Sequence, residues 1–305
     1  MKKSLSVFVS AIFLFSGLFI FNSCDKEDKR VEEELIKLQQ YLEDNGYADL
    51  EPTSSGLYYV VLEDGDGPTP EISDYVNIEF TGFLVDGTVF ETSSKSIAEF
   101  RNIFRDDKLY GPAKFHLEQL GIQGLREGIM MIKEGGKSRL IIPSKLAFGS
   151  SDLGIIGPYS TVIYDVELLD VISDPEEHEQ NLLDQYLEDN DISIAPTESG
   201  LYYVETLDGS GDLPGSGSTV TVHYQGYLLD GRLFDESSTG TPLVVNMGAT
   251  NIIPGFIEGL SKMKKGAEAT LIIPWDIAYG SGGSTDGIIP PYSTLVFDVK
   301  VVDIQ

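Results

Sequence analysis

The chain has 305 residues and a formal net charge of −28, from 21 Lys and Arg against 49 Asp and Glu. A surface this acidic repels nucleic-acid phosphate, so nucleic acid is not expected as a partner. The length suits two domains, each able to bury its own core, and the single cysteine, Cys24, leaves no intrachain disulfide.

In chain order, Lys2 and Lys3 come first, then an apolar run from Leu5 to Phe21, then Asn22-Ser23-Cys24 before the polar Asp25-Lys26-Glu27-Asp28. This is the layout of a targeting segment, slightly short for a transmembrane span. Residues 1–23 resemble a bacterial lipoprotein signal, although Phe21 and Asn22 replace the usual leucine and small residue. The resemblance implies lipidation at Cys24, attachment to a membrane through that lipid, and a place in the bacterial cell envelope outside the cytoplasm, either periplasm-facing or on the cell surface. An uncleaved N-terminal anchor is the alternative. Lys26-Glu27-Asp28 also resembles the tag of surface-exported lipoproteins.

The rest of the chain repeats itself. Tyr41-Leu42-Glu43-Asp44-Asn45 recurs as Tyr186-Leu187-Glu188-Asp189-Asn190, and Ser55-Gly56-Leu57-Tyr58-Tyr59-Val60 as Ser199-Gly200-Leu201-Tyr202-Tyr203-Val204. Phe90 pairs with Phe234 and Gly124 with Gly255, so the first copy carries 13 extra residues between them. In that insertion, near 93–111, Ile97, Phe100, Ile103 and Phe104 fall at helical spacing and predict a short added helix. The organisation read from this is a targeting segment (1–23), an N-terminal helix (24–51), a first domain (52–172), a linking helix (173–195) and a second domain (196–305).

Each copy begins with an amphipathic helix. Val31, Leu35, Leu38 and Leu42 form the first apolar stripe, and Leu182, Leu183, Tyr186 and Leu187 the second. Pro52 and Pro196 are expected to stop these helices, and Ser173-Asp174-Pro175 to start the second. The stripes pack on their own domain or on each other, with a dimer contact as the third option. Alternation in Val76-Asn77-Ile78-Glu79-Phe80 and in Thr219-Val220-Thr221-Val222-His223-Tyr224 predicts half-buried strands, and Asp86-Gly87 and Asp230-Gly231 predict tight hairpins. Pro254 suits the first position of a helix that shows Phe256, Ile257 and Leu260 on one face and ends at Gly266. Strands follow through Thr270-Leu271-Ile272-Ile273 and through Leu295, Phe297, Val299 and Val301. Antiparallel strands around one short helix make an α+β class.

Motifs for other chemistry are missing their partners. His116, His178 and His223 are scattered without metal-ligand spacing, and Asp208 and Asp212 do not complete a calcium loop, so no metal or cofactor is expected. Gly136-Lys137-Ser138 ends like a phosphate loop, but position 131 is Met where that loop needs Gly.

In the second copy, Val222-His223-Tyr224 with Gly226, Asp230-Gly231 with Phe234-Asp235, Ile252-Ile253-Pro254-Gly255-Phe256 with Gly259, Ala278-Tyr279-Gly280, Gly287-Ile288-Ile289-Pro290-Pro291 and Leu295-Val296-Phe297-Asp298-Val299 occur in that order. Together they resemble the FKBP-type peptidyl-prolyl cis/trans isomerase family, over about Gly200 to Gln305. The first copy resembles it over about Gly56 to Ile172 with poorer motifs. The resemblance implies two domains, each a curved antiparallel sheet wrapped around a short helix, and a proline ring held between them. The catalytic set it implies is Tyr224, Phe234, Asp235, Ile253, Phe256, Tyr279 and Phe297, with Leu243, Ile252, Ile288 and Ile289 binding substrate. Phe256 stands where the family usually has tryptophan, and Leu243 replaces a common aromatic residue. The implied partners are proline-containing or unfolded polypeptides, with macrolides such as rapamycin or tacrolimus as inhibitors. The implied role is assistance to the folding of exported proteins.

The chemistry needs no nucleophile. Rotation of an Xaa-Pro amide meets a barrier of roughly 18–20 kcal/mol, because twisting breaks resonance. Charge separation across C–N falls in the twisted state, so water favours the planar one, and a dry aromatic pocket removes that advantage. Stabilising the twisted form by about 4–5 kcal/mol gives roughly a thousandfold. The first copy has Phe80 for Tyr224, Glu91 for Asp235, Gly121 for Ile252, Leu125 for Phe256, Phe148 for Tyr279 and Tyr164 for Phe297, so it is expected to be a weak or inactive isomerase. The competing class is a non-catalytic chaperone or peptide-binding lipoprotein in which both domains only grip Pro-containing segments.

Overall fold

The computed structural model describes residues 21–237 and 240–305, with side chains from residue 29 onward. The apolar leader through Ile20 lies outside the described residues, and so does the side chain of Cys24.

The first repeat begins with α1 (Phe21–Asp44). Strand β1 (Tyr58–Glu63) follows, then β2 (Tyr75–Leu84) and β3 (Val89–Thr92). The insertion supplies α2 (Lys95–Phe100) and leads into β4 (Ala113–His116). Helix α3 (Gln123–Ile129), β5 (Lys137–Ile142) and β6 (Val162–Ile172) complete the unit. The second repeat runs α4 (Pro175–Asp189), β7 (Tyr202–Leu207), β8 (Thr219–Leu228), β9 (Leu233–Glu236), β10 (Leu243–Asn246), α5 (Pro254–Ser261), β11 (Glu268–Ile273) and β12 (Leu295–Ile304). Both sheets are antiparallel throughout, with the same connectivity: β1-β5-β6-β2 answers β7-β11-β12-β8, and the long strand β2 or β8 pairs with two short segments at its free edge.

Each sheet buries its concave face on a short helix. In the second repeat Leu295, Phe297, Val299 and Val301 turn inward against Phe256 and Leu260. In the first, Val162, Tyr164, Val166 and Leu168 do so against Leu125 and Ile129. The helix lies tight on its sheet because Gly124 and Gly255 stand where a Cβ would meet the γ-methyl of Ile142 or Ile273 at 2.4 Å. Val296 is buried as well, on the opposite face, because α4 covers that side together with Ile272.

The structure settles what the amphipathic helices pack on: each covers the outer face of its own sheet. Leu38, Tyr41 and Leu42 meet Ile141 and Ile163, and Leu183 meets Ile272 and Val296. Of the predicted stripes, Leu38 and Leu42 are used in the first and Leu183, Tyr186 and Leu187 in the second. Val31, Leu35 and Leu182 stay exposed, while the buried positions one turn earlier are Glu34 and Glu179. Both carboxylates accept hydrogen bonds from the loop before the last strand. Glu34 takes the Ser144 N–H and hydroxyl at 2.6 Å and the Thr161 hydroxyl at 2.9 Å, and Glu179 takes the Thr294 N–H at 2.7 Å.

Pro52 and Pro196 do not end the helices. They end at Asp44 and Asp189, where Asn45 and Asn190 each cap a tyrosine carbonyl four residues back at 2.8 Å and the chain reverses through positive φ at Gly46 and Asp191. Helix α5 likewise stops at Ser261, ahead of Gly266. The start of α4 is built by Asp174, whose carboxylate accepts from the N–H groups of Glu176 and Glu177, with Pro175 at the first helical position. The inserted helix is shorter than its apolar spacing suggests. Phe100 is 78% exposed, and the buried residue is Ala98.

Candidate functional site

The second repeat gathers an aromatic cluster between β8, β9, β12 and α5. Ring centroids lie 5.0 Å apart for Phe256 and Phe297, 5.5 Å for Phe234 and Phe297, and 6.0 Å from Tyr224 to each of Phe256 and Phe297. These separations suit edge-to-face and tilted pairs. Phe256 and Phe297 are buried as a floor, while Tyr224 and Phe234 remain part-exposed. Gly226 permits this packing: a Cβ there would stand 2.7 Å from the Phe234 ring and 2.9 Å from that of Phe297.

Register does the positioning. Gly226 of β8 pairs with both Asp235 of β9 and Phe297 of β12. Asp235 therefore rises at the sheet edge, where its carboxylate accepts the Tyr224 hydroxyl at 2.5 Å. Burial, then this bond and the Asp235 charge, push the Tyr224 phenol far above the usual tyrosine range, so it stays a donor at any physiological pH. The Ser237 hydroxyl anchors the same tyrosine from behind through its N–H at 3.0 Å.

Leu243, Ile252, Ile253 and Ile288 border the cluster part-buried, and Ile289 lies within it. Ile253 is the N-cap of α5, so its peptide N–H precedes the helical ladder. Tyr279 stands apart, 44% exposed at the rim. Its phenol is raised by burial first and then by the charges of Asp286 and Asp235.

Sequence reasoning overlooked the device that holds Ile288 and Ile289. The Ser284 hydroxyl donates to Asp286 at 2.5 Å and accepts the Ile289 N–H at 2.8 Å, and Asp286 accepts the Ile288 N–H at 3.0 Å. These bonds keep the Asp286 carboxyl below its ordinary range. The signal in the sequence was a Ser-x-Asp-Gly turn just before the two isoleucines.

The first repeat reproduces the register with other side chains: Gly82 pairs with Glu91 and with Tyr164. Its cluster is Phe80, Phe90 and Tyr164, with Phe90–Tyr164 centroids 5.7 Å apart. Phe80 offers Glu91 no hydroxyl. Instead Lys108 of the insertion stands 3.8 Å from the Glu91 carboxylate, donates to the Thr92 carbonyl at 2.9 Å and lies 5.8 Å from the centre of the Phe80 ring. An ammonium thus occupies the side of the cleft that in the second repeat is left to a neutral phenol.

Among the described residues, no group of three or more His, Cys, Asp or Glu side chains is arranged to hold a metal, and no helix is long and apolar enough to cross a membrane.

Comparison with known proteins accounts for both units. The family model described as FKBP-type peptidyl-prolyl cis-trans isomerase matches residues 67–169 and again 211–302. The chain is 42% identical over 113 residues to FKBP-type peptidyl-prolyl cis-trans isomerase FkpA of Escherichia coli, a match spanning 37% of this chain and 40% of that relative's length. It is 44% identical over 96 residues to FK506-binding protein 1 of Dictyostelium discoideum, covering 31% of this chain and 89% of that protein. It is 29% identical over 233 residues to peptidyl-prolyl cis-trans isomerase FKBP10 of Bos taurus, covering 76% of this chain and 34% of that one. The chain belongs to the FKBP-type peptidyl-prolyl cis-trans isomerase family, with one such unit in each repeat.

Proposed function

We propose that the second repeat catalyses cis/trans isomerisation of Xaa-Pro bonds and that the protein assists the folding of exported polypeptides. The observation that carries this is the Tyr224–Phe234–Phe256–Phe297 cluster, an apolar floor left part-open and bordered on one side by the Tyr224–Asp235 hydrogen bond. A proline ring on Phe256 and Phe297 leaves water behind, and its amide loses the solvation that favours the planar form. The Ile253 N–H and the Tyr279 hydroxyl hold flanking carbonyls, Leu243, Ile252, Ile288 and Ile289 bound the site, and Asp235 keeps Tyr224 in place. Macrolides of the FK506 and rapamycin type fit the same floor as competitors, a reading supported by the FK506-binding relative.

The first repeat is read as a non-catalytic or weakly catalytic binding unit, because Lys108 brings a charge into a cleft that must be dry. The apolar run before Cys24 supports a lipid anchor on that cysteine and a place in the cell envelope outside the cytoplasm.

The deciding experiment is NMR exchange spectroscopy of an Xaa-Pro peptide with the purified protein. Acceleration that rapamycin abolishes is the expected result. A folded protein that leaves the exchange rate unchanged turns the reading to a peptide-binding chaperone.

A further inference from the structure

A cavity of about 520 Å³ opens between the repeats. Phe80, Phe115 and Leu120 of the first repeat form one wall, and residues 286–291 of the second belong to the other. Leu109, from the first-repeat insertion, stands where the walls meet. It lines this cavity with Ile288 and Ile289, and it also packs against the second repeat's hydrophobic core, to which Ile289 and the floor residues belong. A side chain of the first repeat is therefore part of the apolar surface that continues from the second repeat's site.

Its position is fixed from both sides. Arg232 donates to the Pro112 carbonyl at 2.8 Å while its Nε is held by Asp230 at 2.7 Å. Lys114 reaches the Pro291 carbonyl at 3.3 Å. The crossing is close enough to require glycine at 111, where φ is +116 and a Cβ would stand 2.8 Å from Arg232 Cδ. The cavity has the size of a ligand site. Its lining mixes carboxylates such as Glu91 and Asp286 with cations such as Lys108 and Arg232, so neither sign of charge dominates it.

We propose that Leu109 is a specificity-determining residue of the second-repeat site: with Ile288 and Ile289 it forms a channel for the polypeptide flanking the bound proline, so the preferred substrate is an extended unfolded chain. This rests on the isomerase reading of that site. The channel adds contacts only for residues away from the proline, which a short peptide lacks.

The test uses the full chain as wild type, Leu109→Ala and the size-preserving Leu109→Met. Each is given a short Xaa-Pro peptide and a longer unfolded peptide with the same Xaa-Pro at its centre. Exchange is read by NMR. Binding is read from the fluorescence of Trp275, the single tryptophan, whose ring lies 4.8 Å from that of Tyr292 just past the loop. The wild type should have the lower KM for the longer peptide. Leu109→Ala should raise that KM about three- to tenfold with kcat kept and leave the short peptide unaffected, and Leu109→Met should restore it. A wild type that binds both peptides equally, or a Leu109→Ala loss of the same size on both, overturns the proposal. If the longer peptide binds in a Leu109-dependent way but neither peptide is isomerised, the isomerase reading fails and the channel stands.

Discussion

Lys114 Nζ lies 3.2 Å from Glu179 Oε2, with the two side chains only 11% and 5% exposed, and this pair ties the first repeat to the helix that begins the second. The other Glu179 oxygen holds the Thr294 N–H, so one carboxylate serves two structural units. Removing one member of a buried pair strands the other, at a cost of about 3–5 kcal/mol. Glu179→Ala should therefore lower the denaturant midpoint more than Lys114→Ala, because it also orphans a buried N–H. A double-mutant cycle on the midpoints checks the coupling, and additive losses would show that the pair contributes nothing as a pair.

Tyr164 and Tyr224 set an alkaline limit. Burial raises both phenols above the ordinary tyrosine value of 10.0, Glu91 adding to it at Tyr164 and the Asp235 bond and charge at Tyr224. The folded chain thus holds these protons to higher pH than the unfolded one. The stability this contributes is complete below pH ~10 and is lost as pH rises through the folded values. Stability measured at increasing pH should fall steeply above pH ~10. Tyr164→Phe should flatten that fall, and an unchanged slope would count against the buried phenol as its source.

The two clefts should respond oppositely to substitution in the full chain. Phe234→Ala and Tyr279→Ala should each lower kcat/KM by about tenfold or more, through lost floor contact and a lost hydrogen bond of about 1–2 kcal/mol. Glu91→Gln and Lys108→Ala, at the first cleft, should leave it within about twofold on a short Xaa-Pro peptide, which does not reach the channel between the repeats. Equal sensitivity at both clefts would show that both are catalytic. Tyr224→Phe tests the Asp235 bond more finely, and a kcat/KM equal to wild type would reduce that bond to a structural tie.

Much of this arrangement is legible in the amino-acid sequence. The alternation around Val222 and Val76 placed the long strands, and the duplicated Asp-Gly turns and Gly124/Gly255 aligned the repeats closely enough to pair Tyr164 with Phe297 and Glu91 with Asp235. What escaped depends on partners distant in sequence. Glu34 and Glu179 sit among many acidic residues of helices that look solvated, and only Ser144, Thr161 and Thr294 reveal them as buried acceptors. Val31 and Leu35 fit the helical stripe by spacing, yet in that turn α1 presents Glu34 inward to Ser144 and Thr161 and leaves them in solvent. Lys108 and Leu109 carried no motif at all. Their roles arise from where the insertion folds back over one cleft and reaches the other.

Lipidation at Cys24 makes a prediction that does not depend on the folded domains. The apolar run from Leu5 to Phe21 ends three residues before this cysteine, and the chain turns sharply polar after it. If the segment is processed as a lipoprotein signal, the native protein begins at Cys24 and carries acyl chains. Each buried CH₂ of those chains adds about 0.8 kcal/mol of membrane affinity, so two or more hold the protein firmly to a bilayer despite its negative charge. Intact mass of protein extracted from its native membrane should show a chain starting at Cys24 with added acyl mass. Cys24→Ser should leave the precursor uncleaved or release the protein from the membrane fraction, while Xaa-Pro exchange by the released domains stays at the wild-type rate. Native protein with an unmodified Met1 and no acyl mass would instead identify the segment as an uncleaved anchor.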